Sequence, residues 1–281
     1  ETGSGSGPYL VLRADIDGLP IEEDIRNPFV SKNHGVMHAC GHDIHTSSLL
    51  GTIRILMDLR DSFPGKIRCL FQPGEELLPG GAEKIIKSGI LENPKPDYII
   101  GQHVFPELPA GEVGFRPGQY MASTDEIYLE VIGTGGHAAL PDTLVDPVLI
   151  ASHLIVSLQQ IVSRKAPTHV PTVLSFGKFD ARGATNVIPE RVFLEGTFRT
   201  MDEEWRLKAH KEIENLVQGI TESMGGKIKC TIVSGYPALV NDKTLTNIMS
   251  DCAADFLGPS CVKDLELRMT GEDFARYSQI M

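Results

Sequence analysis

One thiol and two imidazoles lie within six residues of each other near the start of the chain, at Cys40, His42 and His45. Thiolate and imidazole are ligands that zinc and other borderline transition ions prefer, and nearby carboxylates extend the choice to manganese. The Cys-x-His spacing alone is a weak signal, because the same residues also begin helices or carry redox chemistry. On this stretch alone, a metal site and those alternatives are about equally well supported.

Two adjacent carboxylates, Glu75 and Glu76, follow the turn residues Pro73 and Gly74. Neighbouring side chains in extended backbone point in opposite directions, so the two carboxylates are expected to have different roles. One can bind a metal while the other carries protons. A lone Glu-Glu pair is more often a solvated turn. With His103, which ends an apolar segment, the pattern instead favours a metal site built from four donors: Cys40, His42, Glu76 and His103.

The elements that must position these donors alternate between strand and helix. Apolar runs predict strands at residues 9–14, 66–71 and 98–101, and helical periodicity predicts helices at 45–59 and 82–88. This alternation indicates a largely parallel sheet, whose chemistry lies beyond the carboxyl ends of its strands. Most candidate residues follow such ends: Asp15, Asp17, Glu75, Glu76 and His103.

The pattern changes after a Pro/Gly-rich stretch at residues 106–118. Residues 120–233 then predict the order strand, helix, strand, strand, helix, strand, which is the split arrangement of ferredoxin-like domains. We therefore predict an α/β protein with two domains. A catalytic domain with a mixed, largely parallel sheet flanked by helices comprises residues 1–119 and 234–281, and a βαββαβ lid is inserted between them.

Composition excludes some partners. The formal net charge of -11 argues against nucleic acid and against an anionic membrane, since both require a basic surface. No apolar run is long enough for a membrane span. The five cysteines form an odd set without close pairs, which predicts reduced thiols and a cytoplasmic protein.

Several longer motifs carry a resemblance to a known family. The chain resembles the amidohydrolase branch of the M20 metallopeptidases, which includes hippurate hydrolases, auxin-conjugate hydrolases, N-acetyl-diaminopimelate deacetylases and bacterial aminoacylases. The matching motifs run in order along nearly the whole chain: residues 13–20 (RADIDGLP), 37–43 (MHACGHD), 72–76 (QPGEE), 133–139 (GTGGHAA), 185–189 (TNVIP), 196–199 (GTFR) and 270–274 (TGEDF).

This resemblance implies a site with two divalent ions, Mn²⁺ or Zn²⁺, with Co²⁺ or Ni²⁺ as further options. Two ions roughly 3.5–4 Å apart would share a water and lower its pKa. The implied metal ligands are Cys40, His42, Glu76 and His103. Glu75 is the implied general base, which takes a proton from water and passes it to the leaving amine. The remaining pair, Asp15 and Asp17, is expected to orient the ligands.

The resemblance also implies roles for three residues of the lid. His137 is expected to stabilise the oxyanion after domain closure or from a partner subunit, while Asn186 and Arg199 hold the substrate carboxylate. Without the resemblance, His137 would be interpreted as a capping or surface-loop histidine, Asn186 as a turn residue and Arg199 as part of an ordinary salt bridge at a strand end. Dimerisation through the lid is expected as well.

The predicted function is hydrolysis of the amide bond of N-acyl-L-amino acids, which releases a carboxylic acid and a free amino acid. A dipeptidase or carboxypeptidase of the same superfamily, a catalytically inactive binding paralogue and a redox role for Cys40 are the alternatives. Family members usually continue beyond the Glu272-Asp273-Phe274 motif to a last ligand histidine. The sequence is therefore expected to be a fragment, truncated at both ends.

Overall fold

The computed structural model describes residues 7–24, 26 and 28–281. Residues 1–6, which begin the predicted catalytic domain, lie outside the described residues. The strands and helices follow one another as β1 (Tyr9–Asp15), α1 (His42–Asp58), β2 (Lys66–Gln72), α2 (Gly81–Lys87), β3 (Tyr98–Gly101), β4 (Val113–Phe115), β5 (Gly118–Met121), β6 (Asp125–Ile132), β7 (Gly136–His137), α3 (Pro147–Gln160), β8 (Thr172–Asp180), β9 (Val187–Ile188), β10 (Arg191–Thr200), α4 (Glu203–Ser223), β11 (Lys227–Ser234), β12 (Leu239–Asn241), α5 (Lys243–Leu257) and β13 (Val262–Asp264).

The chain divides into two compact units. Unit 1 comprises Glu1–Gly118, Val240–Glu266 and Glu272–Met281, and unit 2 comprises Gln119–Leu239 and Leu267–Gly271. The roles that the sequence assigns to its two predicted domains, catalysis and a lid, stay predictions.

Unit 1 contains a three-stranded parallel sheet in the order β2-β1-β3. The central strand β1 is buried along most of its length, and Val11 is fully inaccessible. Central parallel strands are covered on both faces, which explains the continuous apolar run that predicted this strand. Asp15 pairs with Gln72 and Arg13 with Gly101, so all three strands end at the same edge of the sheet.

Helix α1 begins at His42, three residues before the predicted start. Gly41 precedes it in the left-handed region with φ 80°, a conformation that glycine adopts without steric cost. Asp43 in the first turn is favourable because of the helix dipole. The helix can therefore begin before the apolar periodicity that predicts it. Cys40 and His42 therefore lie at the start of a helix.

Unit 2 is built on a four-stranded antiparallel sheet in the order β11-β6-β10-β8, with α3 and α4 packed against it. Alternating residues of β6, including Ile127 and Leu129, are buried in this core, and Trp205 of α4 packs with them. The strands of this sheet and its two helices follow the order β6, α3, β8, β10, α4, β11, which is βαββαβ. The predicted α/β class is confirmed. Among the described residues, no helix combines the length and the apolar character that crossing a bilayer requires.

Candidate metal centre

His42 is a buried histidine of unit 1, one of whose ring nitrogens has no hydrogen-bond partner among the described residues. The residue is fully buried, and its Nδ1 lies 3.2 Å from Asp17 Oδ1. Its Nε2 is buried without a hydrogen-bond partner, 3.8 Å from Glu76 Oε1 and 3.9 Å from Asp15 Oδ2. With the proton on Nδ1, the Nε2 lone pair faces two carboxylates, an arrangement that a bound cation would stabilise.

Cys40 and His103 face each other beside His42. Cys40 Sγ lies 3.3 Å from His103 Nε2, and His103 Nδ1 donates to the carbonyl oxygen of Val104 at 2.7 Å. Because that bond places the proton on Nδ1, Nε2 keeps its lone pair for a metal. The ligand atoms of Cys40, His42 and His103 all lie within 4.8 Å of one another.

The two adjacent glutamates differ in environment. Glu75 is buried and Glu76 is exposed. The Glu76 backbone N–H donates to Asp17 Oδ2 at 2.9 Å, and the Asp273 backbone N–H lies 3.3 Å from Glu75 Oε1. Burial, and then the charges of Glu272 and Asp273, raise the pKa of Glu75 to about 9. Glu75 therefore holds a proton readily, whereas Glu76 remains accessible as a ligand.

Glu75 and Glu76 form a second set of possible ligands with His42, again with ligand atoms within 4.8 Å of one another. The two sets overlap at His42. Soft and hard donors that converge on an unpaired buried nitrogen fit a divalent transition ion, so the residues present match the metal that the sequence predicts. When bound, such ions act as Lewis acids and lower the pKa of water.

The thiol of Cys40 is poorly suited to redox chemistry. Burial, and then the charge of Glu76, raise the pKa of this thiol to about 12. Reactive cysteines need a thiolate at neutral pH, whereas a metal can displace the thiol proton. The five cysteines, all among the described residues, are free thiols.

Asp15 and Asp17 lie behind the ligands. Asp17 contacts both the His42 ring and the Glu76 backbone, and its orienting role stays a prediction. Asp15 is buried and bonds His45 and Arg13. Burial disfavours its charge, but the hydrogen bond from His45 and the charge of Arg13 outweigh that effect and lower the pKa of Asp15 to about 2.

A buried ion cluster that the sequence analysis did not identify surrounds Arg13. The guanidinium lies 2.6 Å from Asp15, 3.0 Å from Glu272 and 2.8 Å from Asp273. It also donates to Gln72 at 3.1 Å. An arginine inside an apolar strand was one available signal, and the Glu-Asp pair of the 270–274 motif was another. His45 is a further buried residue of this region without a predicted role.

The predicted residues of unit 2 fall into two places. Strands β7 and β9 pair His137 with Val187, and the Ala138 N–H donates to the Asn186 carbonyl at 3.0 Å, so His137 and Asn186 are neighbours. Arg199 lies on β10, half-buried, and donates to the Met269 carbonyl at 3.2 Å. Burial lowers the pKa of Arg199.

Comparisons with known proteins identify the family to which the chain belongs. The model of peptidase family M20/M25/M40 matches residues 11–281. The chain is 42% identical to an N-acetyl-L-cysteine deacetylase of Bacillus subtilis over 98% of its own length and 65% of that protein. It is 43% identical to an N-acyl-L-amino acid amidohydrolase of Geobacillus stearothermophilus over 85% of its length and 64% of that protein. The chain thus spans about two thirds of the length of these curated relatives.

One similar solved structure is that of a metal-binding protein. The YXEP protein of Bacillus subtilis, described as a dinuclear metal binding peptidase from the M20 family, superposes with a TM-score of 0.81 and 34% identity. The match covers 100% of this chain and 72% of that one. A family pattern, curated relatives and a solved structure agree along nearly all of the sequence, and they confirm the family predicted from its motifs. The chain belongs to peptidase family M20/M25/M40.

Proposed function

We propose that this chain hydrolyses the amide bond of N-acyl-L-amino acids in a reaction that depends on divalent metal ions. The observation that carries the proposal is the buried carboxylate of Glu75 next to the donor set of Cys40, His42, Glu76 and His103. Relatives at 42% and 43% identity bear the names of enzymes of this class, which supports the same substrate class here.

Glu75 is the proton carrier in this proposal. Its carboxylate takes a proton from the attacking water and hands it to the leaving amine, a role that commonly contributes about 10²–10⁴-fold to the rate. Burial that raises the pKa of Glu75 makes its ionised form a stronger base towards water, and the positive charge of bound ions would favour that ionised form. Asp17 holds His42 and the Glu76 backbone in place throughout.

Two ions are proposed because two donor sets overlap at His42 and because the YXEP protein is described as dinuclear. Mn²⁺ and Zn²⁺ fit the mixture of thiol, imidazole and carboxylate, with Co²⁺ and Ni²⁺ as alternatives. Elemental analysis of the purified protein measures both the identity of the metal and its stoichiometry.

The substrate-binding roles of His137, Asn186 and Arg199 are proposals that rest on the resemblance and on local geometry. The Ala139 N–H lies 3.1 Å from His137 Nδ1, which leaves the proton on Nε2 as a donor for a carbonyl oxygen. Arg199 offers a rigid fork for a carboxylate. The Michaelis constant of Arg199→Ala, compared with wild type on an acetylated amino acid, tests this role.

A homodimer formed through unit 2 also remains a proposal. Light scattering of the purified chain measures its mass in solution and would contradict the proposal if it gave only a monomer.

Two isosteric variants at neighbouring positions test the central proposal. Glu75→Gln should retain the metal and lose at least about 10²-fold in turnover. Glu76→Gln, the matched control, should lose metal affinity instead. The substrates are acetyl-, benzoyl- and indoleacetyl-amino acids, with free dipeptides as the competing class. Full turnover by Glu75→Gln would remove Glu75 from the role, and faster cleavage of dipeptides would overturn the substrate class.

A further inference from the structure

His45 is a buried histidine whose two ring nitrogens are both engaged. The residue is 1% exposed and lies in the first turn of α1. Its Nδ1 is 2.5 Å from Asp15 Oδ1, and its Nε2 accepts a hydrogen bond from the Val104 N–H at 2.8 Å. Because an amide N–H can only donate, Nε2 must carry the lone pair and Nδ1 the proton. Asp15 therefore fixes the tautomer that Val104 requires.

Val104 connects His45 to the ligand His103. While its N–H bonds to His45, its carbonyl oxygen accepts from His103 Nδ1 at 2.7 Å. This orientation directs His103 Nε2 towards Cys40 Sγ, 3.3 Å away. His103 is exposed, and its ring lies edge-on to the ring of His45 with centroids 4.5 Å apart. The hydrogen bonds of Val104 add to that ring contact and determine which nitrogen of His103 faces Cys40.

Two neighbouring contacts hold the same segment against α1. Gln102 Nε2 donates to Ser48 Oγ at 2.7 Å. A Cβ at Gly41 would lie 2.5 Å from Val104 Cγ2, so the backbone at Gly41 packs directly on the Val104 side chain. The distance between Cys40 and His103 therefore depends on how the 102–104 segment packs against the start of α1.

A competing role for His45 is that of a metal ligand. The ligand atoms of Asp15, His42 and His45 also lie within 4.8 Å of one another. Within that group, however, the unpartnered nitrogen is Nε2 of His42, whereas both nitrogens of His45 are in hydrogen bonds. Binding a metal through His45 would require breaking one of them.

We propose that His45 is a positioning residue, which holds the metal ligand His103 in register with Cys40 through the backbone of Val104. The inference rests on the ligand set of the proposed function and assigns a role that this set does not contain. Residues that orient metal ligands typically contribute 10–100-fold to metal affinity.

Cobalt titration of the metal-free chain tests the role without relying on activity. Co²⁺ bound by a thiolate gives a charge-transfer absorption that reports on Cys40, and the visible bands report on coordination geometry. His45→Phe, which has neither donor nor acceptor, should weaken Co²⁺ binding by about 10–100-fold and diminish the charge-transfer band while the stoichiometry stays unchanged. His45→Gln keeps an acceptor for the Val104 N–H and should restore most of the affinity and the band.

The outcomes separate the possibilities. If His45 were a ligand, both variants would lose one Co²⁺ while the thiolate band persisted, which would overturn the positioning role. Variants that bind like wild type would overturn it as well. A wild-type chain without a thiolate band would overturn the proposed function and this inference together, so the two failures are distinguishable.

A measurement on the wild-type chain covers the case in which His45→Phe does not fold. In ¹⁵N-labelled protein loaded with ¹¹³Cd, coupling between cadmium and nitrogen should appear for His42 and His103. His45 should remain protonated at Nδ1 without such coupling. Coupling at His45 would contradict the proposal.

Discussion

Each unit of the molecule buries one arginine among carboxylates, but the two clusters differ in their balance of charge. In unit 2, Asp125 accepts from Arg206 at 2.9 and 2.5 Å, from His210 at 2.7 Å and from the Gly235 N–H at 3.2 Å. Burial disfavours the charge of Asp125, yet the hydrogen bonds from His210 and Arg206 outweigh it and lower the pKa. The buried carboxylate of Asp125 is thus fully paired with hydrogen-bond donors.

The unit 1 cluster has the opposite imbalance. Four carboxylates, those of Glu272, Asp15, Asp273 and Glu75, act together on Arg13. Burial raises the pKa of Asp273 to about 6 against the opposing charge of Arg13. Burying charges without full compensation is costly, so a protein retains such an excess where it serves a purpose. Unit 2 therefore pairs its buried charges within one cluster, whereas unit 1 has more buried carboxylates than cationic partners, an imbalance that a bound cation would reduce.

Removal of Arg13 should cause the largest loss of stability in unit 1. In Arg13→Met, the buried carboxylates of Asp15, Glu272 and Asp273 lose their guanidinium, and we expect about 3–5 kcal/mol less stability in β1 and β2. Native-state hydrogen exchange of these strands measures the loss locally. Arg13→Lys keeps the charge with fewer donors and should fall between. A loss below about 1 kcal/mol for Arg13→Met would show that the buried carboxylates do not depend on Arg13 for compensation.

Binding of a divalent cation should stabilise unit 1 and leave the stability of unit 2 unchanged. At a free Mn²⁺ or Zn²⁺ concentration about 100 times the dissociation constant, unit 1 should gain ~2.7 kcal/mol. Hydrogen exchange should slow in β1 and α1 more than in β6 and β10, and a chelator should reverse the effect. Glu76→Gln is the control, since it should reduce the gain. Equal protection of both units would contradict a cation site confined to unit 1.

Sequence reasoning was most successful where chemistry follows a short-range pattern. The three parallel strands of unit 1 are continuous apolar runs, and the carboxylates and imidazole that follow them could be read directly. Because parallel strands end at one edge of a sheet, this pattern predicts that Asp15, Glu75 and His103 lie close together. Helix α1 was placed three residues too late because its first turn carries no apolar periodicity.

The Arg13 cluster and the role of His45 could not be predicted in this way. Arg13 and Glu272 are 259 positions apart, and periodicity carries no information about such a pairing. His45 was visible as a histidine of the Cys40 stretch, but its role depends on which nitrogen faces Asp15 and which faces the Val104 N–H. The orientation of the His45 ring is determined by the packing of α1 against β1 and against the 102–104 segment.

The smallest expected effect is a pH dependence in unit 2. The folded-state pKa of Asp125 is lowered, so its stabilising contribution is fully present above the unfolded-state pKa of about 3.9 and is lost as pH falls through the lower, folded value. Asp125→Asn should be about 1–2 kcal/mol less stable than wild type at pH 7. That difference should shrink below about pH 4.

Trp205 is the only tryptophan of the chain and is buried in unit 2, so its fluorescence reports urea unfolding of that unit. Titrations at pH 7, 5, 4 and 3 give the free energy of unfolding for wild type and variant. Asp142→Asn, at an exposed aspartate of the same unit, controls for a general loss of negative charge. A difference between wild type and Asp125→Asn that stays constant down to pH 3 would mean that Asp125 contributes through shape rather than charge. Unit 2 would then no longer serve as the charge-balanced reference for unit 1.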